Sequence, residues 1–264
     1  MNTGAPQGCV LSPVLFSLYI NDIQCTGDVL ALLKYADDMA LVGRLIDEVS
    51  LTTYLSKIEA INRWLHANCL VLNVRKTKEL VMGDSNLTNS YTPVQIDQET
   101  VEIVDNFKYL GTIMDSKFLF EEHSNMVYNR AQQRLHLLRK LNSFGVSKSV
   151  MQLVYRSIIE SVLSYNISTW YGNLQVTKGR TKLAGVVNEA SKLIGREQRQ
   201  LSTLFDSSVR RNAFKIFNDP SHPLNRKFEL LPSGRRLKTI MARKNIYKKS
   251  FTPSAVSVLN ASMK

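Results

Sequence analysis

Cysteine is scarce: Cys9, Cys25 and Cys69 are the only three in 264 residues, and they are widely spaced. There is no CxxC, and His66 and Cys69 stand three apart without a second pair, which excludes a zinc finger or ribbon. So few thiols, odd in number, also exclude a disulfide framework and fit a reducing compartment. Histidine is equally sparse. None of His66, His123, His136 or His222 is followed two residues on by Asp or Glu, as the facial triad of an iron/2-oxoglutarate enzyme begins. No stretch approaches the roughly 18 uninterrupted apolar residues of a membrane span. No basic segment followed by an apolar one opens the chain, so a secretory leader is not expected. These absences together predict an intracellular protein, nuclear or cytoplasmic, with no membrane partner.

Acid is the other scarcity, and it is local. Residues 1–125 carry nine Lys/Arg against sixteen Asp/Glu, a net of −7; residues 126–264 carry twenty-five against six, a net of +19. A basic half behind an acidic one predicts a polyanion held by one part and worked on by the other. With 44% hydrophobic residues the chain can build one large or two modest cores.

What is present reads as helix and sheet, then helix. Gly4–Gly8 is a loop rich in breakers, and Ser12-Pro13 starts a short helix to about Asp22, with Ser as N-cap and Pro at the first position. Two apolar runs, 29–33 and 39–43, flank Tyr35-Ala36-Asp37-Asp38 and predict a β-hairpin with acid at its tip. Paired carboxylates there suit a hard cation such as Mg²⁺; plain turn chemistry is the alternative. Leu51, Leu55, Ile58, Ile61 and Leu65 predict an amphipathic helix over 46–68. Residues 79–83 and 107–114 read as strands. Val127, Ala131, Leu135 and Leu138 predict a helix over 121–142, and Val150, Val154, Ile158 and Val162 a second to about Ser168, the two forming an α-hairpin. Helical signals follow at 181–195 and 203–217. From Pro220, three further prolines and Gly234 predict irregular chain.

Four of these segments carry a resemblance. Gly4-Ala5-Pro6-Gln7-Gly8, Tyr35-Ala36-Asp37-Asp38, Asn73–Lys78 and Phe107-Lys108-Tyr109-Leu110-Gly111, in this order and spacing, resemble the polymerase palm of reverse transcriptases, most closely those of non-LTR (LINE-type) retrotransposons. Trp170–Asn173 and Leu231–Arg236 resemble stretches downstream of the palm in the same elements. The resemblance implies an α+β fold: a partial palm over 1–118, a basic helical thumb over 119–219 and a basic irregular tail over 220–264. It implies two-metal nucleotidyl transfer with Mg²⁺ on an RNA template and DNA primer. Asp37 and Asp38 take the metal, and Pro6, Gln7 and Gly8 lie by the templating base and nucleotide. Lys76, with Lys78 as the alternative, is a candidate general acid for the leaving pyrophosphate. Tyr109, Leu110 and Gly111 form the primer grip.

In the basic half, Arg130, Arg134, Arg139 and Lys140 are expected on the phosphates of the duplex, without sequence preference. Arg235 and Arg236 open a further basic run to Lys249, where Tyr247 and Phe251 suit single-stranded nucleic acid. Trp170 and Tyr171 read as core anchors. The stretch from about Asn129 to Gly172 also resembles a leader segment of an AlkB-type tRNA-modifying dioxygenase, a region without that enzyme's catalytic residues.

The resemblance begins within the family's second conserved palm block, so the first metal-binding aspartate and the fingers have no counterpart in this sequence. The chain alone is therefore expected to be inactive as a polymerase, and a non-catalytic RNA- or DNA-binding role for the basic half is the alternative. Primer extension with template, deoxynucleotides and Mg²⁺ checks this: no incorporation is expected, and incorporation abolished by Asp37→Ala is the contrary result.

Overall fold

The computed structural model describes residues 8–23, 30–83, 91–174 and 179–262. They form helices and short strand pairs, an α+β fold, divided into two compact units. One comprises Met1–Glu79 with Asn89–Val104, the other Leu80–Thr88 with Asp105–Lys264.

In the first unit, α1 (Ser12–Tyr19) has Pro13 in its first turn, where a missing N–H costs nothing. Strands β1 (Leu30–Tyr35) and β2 (Asp38–Gly43) pair antiparallel from Leu30↔Gly43 to Tyr35↔Asp38. Helix α2 (Glu48–Ala67) opens on a capping box, in which the Asp47 carboxylate accepts from Ser50 N–H at 2.8 Å and Ser50 Oγ accepts from Asp47 N–H at 3.0 Å. Its inner face is Tyr54, Ile58, Ile61 and Leu65; the expected Leu55 is exposed. The predicted strand at 79–83 is reduced to β3 (Lys78–Glu79), which pairs parallel with β6 (Glu102–Ile103). Between them β4 (Gln95–Ile96) and β5 (Glu99–Thr100) make a small antiparallel ladder. Its Val94, Ile96 and Val101 pack on Tyr54 and Ile58 of α2.

In the second unit, the expected single strand at 107–114 is two strands, β7 (Asn106–Tyr109) and β8 (Thr112–Asp115), turning at Leu110-Gly111. Asp115 then acts as a hub. Its Oδ1 accepts from Lys117 and Leu119 N–H at 3.0 Å each, and its Oδ2 from Phe120 N–H at 2.6 Å. The loop so held enters α3 (Glu121–Ser143) through left-handed Phe118 and Phe120. Val127, Ala131, Leu135 and Leu138 are buried on α3 as the spacing predicts.

The helix after the Phe144-Gly145 turn runs as α4 (Lys148–Val154), a π-helical segment (Tyr155–Glu160) and α5 (Ser161–Ser164). Its buried face is Met151, Tyr155, Ile159 and Leu163, one residue on from the expected Val150 series, and Val150 itself is exposed. Two facts explain the shift. The larger side chains bury more apolar area. A strict four-residue spacing also outruns the 3.6-residue turn, and the π segment absorbs the excess. The helix ends at Tyr165-Asn166, before the predicted Ser168, where Asn166 is left-handed at φ +49°. A short α6 (Ile167–Trp170) follows, with Trp170 fully buried in the core. Arg180 closes its end, donating to the carbonyls of Tyr171 and Gly172 at 2.9 Å and of Leu174 at 3.1 Å, with its guanidinium 4.6 Å from the Tyr171 ring centroid. Gly172 must be glycine, since a Cβ there would lie 2.2 Å from the Lys249 carbonyl oxygen.

Helices α7 (Thr181–Ile194) and α8 (Leu201–Phe217) complete this core. The expectation of irregular chain from residue 220 fails over its last part. After the short α9 (Asn245–Lys248), α10 (Phe251–Ser262) buries Ala255, Val256 and Leu259 against Val209, Ala213 and Ile216 of α8. Pro253 sits in the first turn of α10 and starts that helix instead of breaking it.

His123 ties β8 to α3. Its Nδ1 accepts from Ile113 N–H at 3.2 Å, so Nε2 carries the ring proton, beside Trp170 at 5.1 Å between ring centroids. Burial, and secondarily the Arg130 charge, push its pKa down to about 4. The native ring is therefore neutral, whereas an unfolded chain binds its proton near pH 6.5. Stability is expected to fall as pH drops from about 6.5 to about 4, by up to about 3 kcal/mol. Urea unfolding at a series of pH values should show this slope, and His123→Gln should flatten it.

Candidate functional site

The β1–β2 hairpin carries its two acids at the tip, on a two-residue turn. Ala36, at φ +51°, occupies one central position and Asp37 the other; Asp38 opens β2 opposite Tyr35. A residue with a Cβ is disfavoured in the left-handed region by about 1–2 kcal/mol. Such strain at a tip of this kind persists only where its surroundings fix it.

They do so through the inner face of the hairpin, Leu32 and Met39, which packs on Ile20, Ile23 and Leu65. Lys34 completes it. Its Nζ donates to the carbonyls of Ile20, Asn21 and Ile23 at 2.8, 3.2 and 2.9 Å, capping the end of α1 one residue before Tyr35. Sequence reading missed Lys34. Its signal was a lysine at an inward-facing register of a strand.

Asp37 and Asp38 are both exposed, and neither carboxylate has a hydrogen bond or ion pair among the described residues. Three other acids of this unit are committed. Glu79 is buried, accepting from Tyr91 Oη and from Val94 N–H, and Glu102 pairs with Lys78 at 2.5 Å. Asp97 accepts from Asn62 and contacts His66 at 3.1 Å, and these contacts hold its carboxyl below the usual range. Two uncommitted carboxylates at adjacent positions fit a hard, oxygen-seeking cation as part of a ligand set. No group of three or more His, Cys, Asp or Glu able to hold a metal occurs among the described residues.

The remaining predicted residues are dispersed. Pro6 and Gln7 lie outside the described residues. Gly8 is exposed at φ +82°, with open space where a Cβ would be. Lys76 sits exposed on a turn whose Asn73 side chain accepts from Lys76 N–H at 3.1 Å. The neighbouring Lys78 is engaged by Glu102, which leaves Lys76 as the lysine of this turn without a described ion pair. Tyr109, Leu110 and Gly111 are brought together in the β7–β8 turn, with positive φ at both central residues, Leu110 (+44°) and Gly111 (+83°).

The basic residues divide. Arg134 donates to the Ile158 carbonyl of the π segment, and Arg139 pairs with Glu189 of α7 at 2.6 Å; both fasten α3 to its neighbours. Arg130 and Lys140 are exposed without a described ion pair. Arg235 and Arg236 sit on a tight loop whose ends meet at the Leu230↔Leu237 bridge. Asn260 of α10 fixes it, accepting from Leu237 N–H at 2.7 Å and donating to its carbonyl at 3.0 Å. Tyr247 is exposed, but Phe251 packs into the α8–α10 core and is not presented to a ligand.

Residues 1–114 match the family "Reverse transcriptase (RNA-dependent DNA polymerase)". The chain is 28% identical over 208 residues to the probable RNA-directed DNA polymerase from transposon BS of Drosophila melanogaster, covering 70% of this chain and 22% of that protein. It is 24% identical over 179 residues to the RNA-directed DNA polymerase from mobile element jockey of the same fly, covering 63% and 19%. To the probable RNA-directed DNA polymerase from transposon X-element it is 23% identical over 198 residues, covering 72% and 21%. These similarities support a reverse transcriptase segment of the non-LTR (LINE) type.

The chain spans about a fifth of the length of the curated relatives it matches. Their alignments are longer than the family match, so the similarity runs past β8 into the helices. Residues 122–161 also match "Alkylated DNA repair protein alkB homolog 8, N-terminal". That stretch is α3, the turn after it, α4 and the π segment, a helical pair, and its two histidines, His123 and His136, lack a following His-x-Asp/Glu pattern. No solved structure matches the chain.

Lys34→Met keeps the apolar stem and removes the three bonds to α1. Backbone amides of the hairpin are expected to exchange with solvent about thirtyfold faster, a local loss of about 2 kcal/mol. Hydrogen exchange read by mass spectrometry checks this.

Proposed function

We propose that this chain carries part of the nucleotidyl-transfer machinery of an RNA-directed DNA polymerase, together with a basic surface for the primer–template. The observation that carries the reading is the pair of uncommitted carboxylates, Asp37 and Asp38, on the tip of a hairpin inside the segment that matches the reverse transcriptase family. These two residues would contribute to holding divalent metal, Mg²⁺ in the cell. When bound, the metal supplies the Lewis acidity that lowers the pKa of a primer hydroxyl and neutralises charge on the triphosphate. Lys76 is the positioned proton donor for the departing pyrophosphate. The Tyr109-Leu110-Gly111 turn seats the primer end, and Gly8 lies on the templating side.

Affinity comes from basic residues that no acid neutralises among the described residues. Arg130, Lys140, Arg235 and Arg236 are the candidates for phosphate contact. Arg134 and Arg139 contribute by holding α3 in place. Contacts of this kind release counterions, so binding weakens steeply with salt and carries little sequence preference.

Fluorescence anisotropy of a labelled RNA–DNA primer–template over a KCl series tests the surface. The expected slope of log affinity against log salt is about −2 to −4, reduced in magnitude by about 1 to 2 in Arg130→Gln/Lys140→Gln. A slope near zero would remove the proposal. Mn²⁺ tests the hairpin independently: it should broaden the NMR signals of residues 36–39 selectively, and Asp37→Asn/Asp38→Asn should abolish the effect.

A further inference from the structure

The Leu110-Gly111 turn is held by a segment some fifty residues later in sequence. Leu110 is a bulky residue in the left-handed region, at φ +44°, a conformation its own Cβ disfavours. Tyr165 Oη donates to the Leu110 carbonyl at 2.7 Å. The Tyr165 ring also covers Gly111, where an added Cβ would lie 3.2 Å from the ring edge. Next to it, Asn166 Nδ2 donates to Oγ1 of the buried Thr112 at 2.9 Å. Both residues are fixed in turn: Trp170 Nε1 donates to the Tyr165 carbonyl at 2.9 Å, and Thr169 Oγ1 to Asn166 Oδ1 at 2.9 Å. The helix break at 165–166 is thus shaped around the turn.

Energetics separate holding from stabilising. Tyr165 is 54% exposed, so its hydroxyl would be solvated if the bond to Leu110 were absent. A bond exchanged for water adds little net stability. What it does is choose one direction for the Leu110 carbonyl and one height for the Gly111 backbone. A side chain that costs little to lose and fixes the geometry of a functional turn acts by pre-organisation.

We propose that Tyr165 is a positioning residue for the primer terminus: by bonding Leu110 and covering Gly111 it sets the turn on which the 3′-terminal nucleotide rests, with Asn166 as its second fastening. The proposal rests on the reading of this turn as the primer-binding element.

The test uses the full chain and an RNA–DNA primer–template carrying 4-thiothymidine at the primer 3′ end. After irradiation, the adduct is expected in the peptide containing residues 109–111. Tyr165→Phe, which keeps the ring and loses the hydroxyl, should lower that adduct at least fivefold. It should leave the thermal midpoint unchanged and the dissociation constant for primer–template within twofold. Amides of residues 110–113 in the free protein should exchange at least tenfold faster. An unchanged adduct in Tyr165→Phe, with or without faster exchange, overturns the positioning role and leaves the primer-grip reading standing. A bound wild-type complex without any adduct at 109–111 overturns that reading, and this inference with it.

Discussion

A backbone amide or carbonyl shut away from water must find a partner, and this protein has many that its own secondary structure leaves over. Its strands are short, its helices are interrupted, and each interruption strands polar groups. The structure depends on single side chains that travel to those places. Lys34 meets the carbonyls at the end of α1, Asp115 the amides of the loop before α3, Arg180 the carbonyls after α6, and Asn260 both backbone groups of Leu237. Lys34, Arg180 and Asn260 each join a break to another element, whereas Asp115 ties down the loop that directly follows it. The breaks are therefore where the chain is cross-braced.

Both candidate functional elements follow from this. A two-stranded hairpin alone is marginal in water, and the two that carry these elements, β1–β2 and β7–β8, are two-stranded. Each is stabilised from one side by helices and anchored close to its turn by a side chain bonded to backbone. For β1–β2 the anchor is Lys34, beside the acids. For β7–β8 it is His123 and the Tyr165-Asn166 pair, around the turn itself. The Asp37-Asp38 tip is left open to solvent and the Leu110-Gly111 turn partly so, on a backbone that is otherwise fixed, which is the combination a binding element needs. The outer face of β1–β2, with Leu33, Tyr35 and Val42 about half exposed, receives no such cover among the described residues.

The sequence disclosed what depends on local pattern. Val127, Ala131, Leu135 and Leu138 mark the buried side of α3 because a helix repeats its faces at a fixed interval, and the Tyr-Ala-Asp-Asp hairpin is visible because its apolar runs flank a turn. It concealed what depends on partners far along the chain. Arg134 and Arg139 look like any exposed basic pair, and only Ile158 and Glu189 reveal them as fasteners. Phe251 looks like a stacking aromatic among lysines until α8 supplies the core it enters. Both the Val150 and the Met151 series repeat every four residues, so spacing alone did not choose between them. Pro253 suggested irregular chain because proline starts helices as readily as it stops other structure.

One wide turn in an otherwise α-helical run is what a single inserted residue leaves behind. Everything C-terminal to it is turned by about 100° relative to an uninterrupted helix. Tyr165 and Asn166 lie just beyond that point. Their aim at the β7–β8 turn is thus a matter of phase, set by one residue of chain length within 155–160 rather than by the identity of any side chain there. Related proteins that differ by a one-residue gap in this stretch would carry the same tyrosine on another side of the helix.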